Sequence, residues 1–138
     1  MLTEKSLEII SKLAGKYSLK LVILFGGLAK GIYDEKSDMD IAILPQNTNE
    51  FIEKEMLSNL IYDFMEVEDI ERREADIVLV TSENPILLYQ IAKYGVPLYS
   101  ESDETYQNFL SWARFTYEDN MRFITGLSET VKEKLRNI

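Results

Sequence analysis

The feature that most constrains this chain is the run Leu19 to Phe25, a string dominated by Leu, Val, Ile and Phe that stops at Gly26-Gly27. Such a run suits a buried strand, and paired glycines let the chain leave it through a tight turn. Met39 to Leu44, closed by Pro45, reads as a second buried strand, Ala75 to Val80 as a third, and Val96 to Tyr99 as a short fourth.

Helical patterns fill the spaces between them. Over residues 3 to 17, Leu7, Ile10, Leu13, Ala14 and Tyr17 recur at helical spacing behind a candidate N-cap at Thr3. Asn47-Thr48-Asn49 offers turn and capping chemistry before a helix with a wide apolar face: Phe51, Ile52, Met56, Leu57, Leu60, Ile61, Phe64 and Met65. Asn84-Pro85 predicts the start of another helix, and Gly95 predicts its left-handed C-cap. The resulting order, αβ-βα-βα-β, belongs to the α/β (α+β) class, with a small mixed β-sheet flanked by helices. No internal repeat interrupts it.

From about Asp103 the pattern becomes a long helical tail. Phe109, Trp112 or Ala113, Thr116, Phe123, Leu127, Val131 and Leu135 approximate one stripe, with Gly126 as a break between two helices. Tyr106, Phe109, Trp112, Phe115, Tyr117 and Phe123 are more aromatics than one stripe can bury against its own domain. The expected organisation is a domain over residues 1–100 and a helical extension over 101–138 that packs on the domain, on a partner, or on both.

Composition narrows the chemistry. The chain has 138 residues, is 46% hydrophobic and contains no cysteine and no histidine. One compact core is therefore expected, without disulfides, imidazole acid-base catalysis or a His/Cys zinc site. A formal net charge of -9 argues against direct nucleic-acid binding and for a protein or small-molecule partner. Charged residues break the first helix and no long apolar run follows, which reads as a cytoplasmic protein with no membrane span.

Carboxylates are then the remaining metal ligands, and their placement is informative. Gly26-Gly27-Leu28-Ala29-Lys30-Gly31 leads to Ser37-Asp38-Met39-Asp40. Glycines after a buried strand let backbone N–H groups approach a polyphosphate. Asp38 and Asp40, two apart at a strand start, project to one side of it. Asp38 alone is what a turn would carry, whereas Asp40 lies inside an apolar strand, where an unpaired charge is costly. Asp76, at the start of a neighbouring strand, is the acidic residue placed to complete a two-metal site; alone it reads equally well as a strand-start charge.

These residues resemble the signature of the DNA-polymerase-β-like nucleotidyltransferase superfamily: Gly-Ser, ten intervening residues, Asp-x-Asp, and a later strand aspartate. Residues 28–37 keep that spacing here. The short length and the Leu-Ala-Lys-Gly continuation are similar to the minimal nucleotidyltransferases, or MNT proteins, over residues 1 to about 100. That resemblance implies ATP as substrate and two Mg2+ ions. It implies catalytic and metal-binding roles for Asp38, Asp40 and Asp76, and nucleotide contacts from Gly26, Gly27, Lys30 and Ser37.

MNT proteins commonly accompany a HEPN-domain ribonuclease as its antitoxin, so the resemblance implies AMP transfer to a tyrosine of a HEPN toxin in a hetero-oligomer. The toxin's own motif needs histidine, which this chain lacks. One position departs from the pattern: the family serine is Gly27. A hydrogen bond from that serine to a phosphate contributes about 1.5–3 kcal/mol, so weaker triphosphate binding or slower turnover is expected. The alternative is a catalytically weakened protein of the same fold that neutralises the toxin by binding. A third reading, an antibiotic-type small-molecule adenylyltransferase, is disfavoured by the short tail.

Overall fold

The computed structural model describes residues 2–136, and within the last helix the side chains of 127–132 and 135 lie outside the described residues, as do residues 137–138. The expected stripe positions Leu127, Val131 and Leu135 fall among them.

The elements are α1 (Glu4–Lys16), β1 (Leu19–Phe25), α2 (Gly26–Lys30), β2 (Met39–Pro45), α3 (Thr48–Glu53), α4 (Met56–Glu71), β3 (Ala75–Leu79), α5 (Pro85–Tyr94), β4 (Val96–Ser100) and α6 (Asp103–Arg136). The four strands form one mixed sheet in the order β3-β2-β1-β4. β1 runs antiparallel to both β2 and β4, and β2 runs parallel to β3. The parallel pair needs a crossover, which α3 and α4 supply.

Strand β1 reads as a nearly unbroken apolar run because it is covered on both faces. Leu19, Val22 and Leu24 join Met39, Ile41 and Ile43 beneath α1, α3 and α4, where Ile10, Ala14, Phe51, Leu60, Phe64 and Val67 close the larger core. Leu21, Ile23 and Ala42 face the other way, against Leu88 and Ile91 of α5 and Phe109 and Ala113 of α6. A β-bulge between Leu19 and Leu21 allows β1 to begin with two residues that do not follow strict alternation. Of the two tail positions left open by the helical stripe, Ala113 is the buried one and Trp112 stays partly exposed.

Capping residues act where the local sequence places them. Thr3 accepts from the Ser6 amide at the start of α1, Asn47 from Glu50 at α3, and Asn84 from Leu87 at α5, where Pro85 occupies the first turn. The fully buried Ser6 hydroxyl donates to Glu71 Oε2 at 2.6 Å, and Thr3 Oγ1 donates to the same oxygen at 3.0 Å. The beginning of α1 is thereby tied to the end of α4.

Four expectations are corrected. A short helix, α2, occupies the glycine turn, because Gly31 at φ +78° closes one turn of helix with its left-handed C-cap. The helix expected across Phe51 to Met65 is two helices, separated where Glu55 adopts φ +51°. The bend lets Phe51 and the Leu60-Phe64-Val67 face both enter the core, leaving Ile52, Ile61 and Met65 exposed. Gly95 is extended, at φ -70° and ψ 153°, rather than left-handed. Its glycine serves close approach, since a Cβ there would lie 2.3 Å from the Ile91 carbonyl oxygen and 2.6 Å from Ile23 Cγ2. Finally, α6 runs through Gly126 without a break. Among the described residues, no helix is long and apolar enough to cross a membrane.

Candidate active site

The site is assembled at the ends of three strands. Phe25, the last residue of β1, pairs with Asp40 of β2, and Asp40 pairs in parallel register with Asp76 of β3. Alternation then decides orientation. Met39, Ile41 and Ile43 enter the larger core, so Asp40 projects to the opposite face of the sheet. Ala75, Ile77 and Leu79 pack against that same core, so Asp76 projects beside Asp40. Neighbouring strands lie about 4.8 Å apart, which sets the scale of separation between these two positions.

Asp38 immediately precedes β2 and is exposed, Asp40 is half-buried and Asp76 is exposed. Burial, then the charges of Asp76 and Asp38, push the Asp40 carboxyl above the usual aspartate range. Asp40 therefore lies within the field of both other carboxylates. Among the described residues, no three acidic, His or Cys side chains gather into a group that would hold a metal unaided.

The turn from β1 into α2 passes directly against Asp40. Gly26 has φ +73°, and a Cβ there would lie 2.2 Å from Asp40 Oδ2. No other residue type provides both the backbone conformation and the space for this approach. Gly27 is enclosed from the other side: Ile32 N donates to Gly27 O at 2.9 Å, and a Cβ on Gly27 would lie 2.6 Å from Ile32 O. The first-turn amides of α2 have no helical acceptors, and Phe25 at the N-cap brings no side-chain oxygen to them.

Two predicted nucleotide contacts are engaged elsewhere. The Ser37 hydroxyl accepts from Asp34 N and donates to Asp34 Oδ1, closing the turn before Asp38. Lys30 places its ammonium 4.6 Å from the ring centroid of Tyr94 on α5. A cavity of about 450 Å3 lies between α5 and α6, lined by Tyr89, Lys93, Leu110, Arg114 and Tyr117 among others, and none of its lining residues is among the predicted site residues.

Sequence reasoning missed two residues that hold the site's frame. Arg73 Nη1 donates to the carbonyls of Asp34 and Ser37, each at 2.8 Å. Glu68 accepts from Ala75 N at 2.8 Å, next to Asp76. Arg73 escaped notice because Asp34 and Ser37 lie far from it in the chain, and Glu68 because nothing in the linear pattern marks a helix side chain that turns to the first amide of the next strand.

A mixed sheet that presents a glycine turn against one strand carboxylate, with a second carboxylate in register beside it, defines a nucleotidyltransferase-type α/β protein. The chain belongs to the polymerase beta nucleotidyltransferase family, whose model matches residues 8–104. No curated protein sequence matches it. Among solved structures, it is similar to a chain of a toxin-antitoxin crystallised with AMP-PNP, at TM-score 0.68 and 22% identity over 91% of this chain and 98% of that one. It is also similar to a chain of the toxin-antitoxin MntA-HepT, at TM-score 0.64 and 20% identity over 94% and 99% of the two chains. A third similar structure is a tri-AMPylated Shewanella oneidensis HEPN toxin in complex with MNT antitoxin, at TM-score 0.63 and 19% identity over 94% and 98%.

Proposed function

We propose that this chain is an MNT-type antitoxin that transfers AMP from ATP to a tyrosine hydroxyl of a HEPN-domain partner. The observation that carries the proposal is the meeting of Gly26, Asp40 and Asp76 at the strand ends, with Asp38 one residue before β2. The structural neighbours crystallised with AMP-PNP or as AMPylated toxin complexes support the choice of substrate and acceptor.

The donor set fits Mg2+. It consists of oxygen ligands only, and Asp40 carries a charge that its surroundings disfavour, which a cation would relieve. Mg2+ takes one or two protein carboxylates and completes its shell with water and phosphate, so a closed protein cage is not required. Asp38 and Asp40 would hold the metal, with Asp76 beside them for a second ion. When bound, Mg2+ would neutralise triphosphate charge and make the attacking hydroxyl easier to deprotonate.

The remaining steps belong to the protein and its substrates. The α2 amides bind phosphate oxygens across the turn that Gly26 permits. The tyrosine oxygen attacks the α-phosphorus, forming an O–P bond as the bond to the β-phosphate oxygen breaks. Pyrophosphate leaves, and the hydroxyl proton passes to the Asp76 carboxylate. Gly27 contributes its amide without a side-chain donor.

The test is transfer of labelled adenylate from ATP to the purified HEPN partner with and without Mg2+. Metal-dependent labelling that Asp38→Ala and Asp40→Ala abolish is expected. Labelling equal in wild type and both variants would overturn the enzymatic reading. Gly27 favours a second reading, inhibition by binding alone; under it, carboxylate variants would protect cells as well as wild type does.

A further inference from the structure

We propose that Arg73 is a positioning residue that sets the Asp38 loop against the strand carrying Asp76. This inference rests on the nucleotidyl-transfer reading of those carboxylates.

Arg73 lies between α4 and β3, directly after Arg72, which ends α4 in a left-handed conformation at φ 56°. Its Nη1 carries two hydrogens and uses them on two carbonyls of one loop, those of Asp34 and Ser37, each 2.8 Å away. Its guanidinium carbon stands 5.2 Å from the ring centroid of Tyr33, so the same side chain also holds the entrance to that loop. Backbone pairing continues the contact, because Met39 N donates to Glu74 O at 2.8 Å.

The Ser37 carbonyl belongs to the rigid peptide plane that contains the Asp38 nitrogen and Cα. Holding that oxygen fixes where Asp38 begins. Arg73 is itself three residues before Asp76, and Glu68 anchors the intervening strand start by accepting from Ala75 N. One side chain therefore joins the two chain segments whose relative placement the site depends on. Inside the loop, Asp34 accepts from the Lys36 amide and the Ser37 hydroxyl, so the loop reaches Arg73 already folded into a turn. The turn carries these bonds of its own, and Arg73 adds the pair that docks it beside the start of β3.

The experiment compares wild type with Arg73→Met and Arg73→Lys. Arg73→Met keeps an unbranched apolar stem and loses the charge and the donors; Arg73→Lys keeps a cation on a stem one bond shorter, with a single nitrogen able to donate to both carbonyls. In Mg2+-dependent transfer from ATP, Arg73→Met is expected to lose about tenfold or more in kcat, with KM for ATP changed less than about threefold. Arg73→Lys is expected to recover most of that loss. A rise in KM with kcat retained would overturn the proposal in favour of a phosphate-binding role, and so would a Lys variant no better than Met.

Two measurements stand apart from turnover. Hydrogen exchange of amides 33–39 should be several-fold faster in Arg73→Met than in wild type and restored by Arg73→Lys, with β1 unchanged. Mn2+ binding in the presence of AMP-PNP should weaken and recover in parallel. If wild type transfers nothing, the transfer reading fails and these two measurements still judge the clamp. Unchanged exchange in Arg73→Met would overturn it.

Discussion

Asp40 carries two opposing demands in one side chain. Burial and the charges of Asp76 and Asp38 raise its carboxyl above the usual aspartate range. An acid whose pKa is raised by folding stabilises the fold when protonated, and ionisation withdraws that stability as pH rises through the folded pKa. At neutral pH the ionised Asp40 therefore destabilises the metal-free protein. Asp40→Asn is expected to raise Tm by a few degrees at pH 7, to show little gain at pH 3, and to reduce adenylate transfer by about a hundredfold or more. Thermal melts at the two pH values and transfer assays check the three outcomes. Gly27 poses a different residue-scale question. Replacing it with the family serine would force a Cβ to within 2.6 Å of Ile32 O. Gly27→Ser is therefore expected to cost about 1–3 kcal/mol through overpacking, measured by denaturant unfolding, and to leave ATP affinity no better than wild type.

At the scale of elements, the junction of α1 and α4 depends on Glu71. Burial works against its charge, but the hydroxyl of Ser6 and the amide and hydroxyl of Thr3 together hold its carboxyl below the usual glutamate range. A depressed acid pKa contributes stability above the unfolded value, and this is lost as pH falls through the folded one. Glu71→Gln is expected to lower Tm by a few degrees at pH 7 and to match wild type near pH 3. This result would separate the ion-dependent part of the junction from its packing. The same scale shows how local signals met tertiary limits. Thr3, Asn47 and Asn84 cap helices as their residue types and following sequence indicate, because a cap involves amides only two or three residues away. Gly95 was misread because its reason for being glycine is Ile91 and Ile23, and Ile23 lies on a different element.

The whole molecule buries Phe109 and Ala113 of α6 against the sheet and leaves Phe115 63% and Phe123 66% exposed. If the proposed function holds, these exposed rings would form part of the surface that meets the HEPN partner. Phe115→Ser and Phe123→Ser are each expected to weaken the complex by about tenfold, read by titration calorimetry, with Tm unchanged because neither ring is buried in the chain alone. A fall in Tm without loss of affinity would return these residues to the protein's own packing.

Much of this architecture was legible in the linear chain. Apolar runs, capping residues and glycine turns act over a few residues, so strand positions and most helix starts could be read directly. The two-residue spacing of Asp38 and Asp40 was likewise visible in the chain, with Asp38 one residue before β2. What the linear chain could not supply were relations between segments far apart in it: the parallel register that sets Asp76 beside Asp40, the closeness of Gly26 to that carboxylate, the closure of Ile32 over Gly27, and the reach of Arg73 to the loop before Asp38. Those relations depend on which faces bury their apolar side chains and on how the backbone pairs across the sheet. The sequence by itself determined that this chain builds one strand that ends at glycines and two with aspartates at their starts. Only the packed sheet decided that those ends meet, because their meeting is a property of register and burial rather than of any local run of residues.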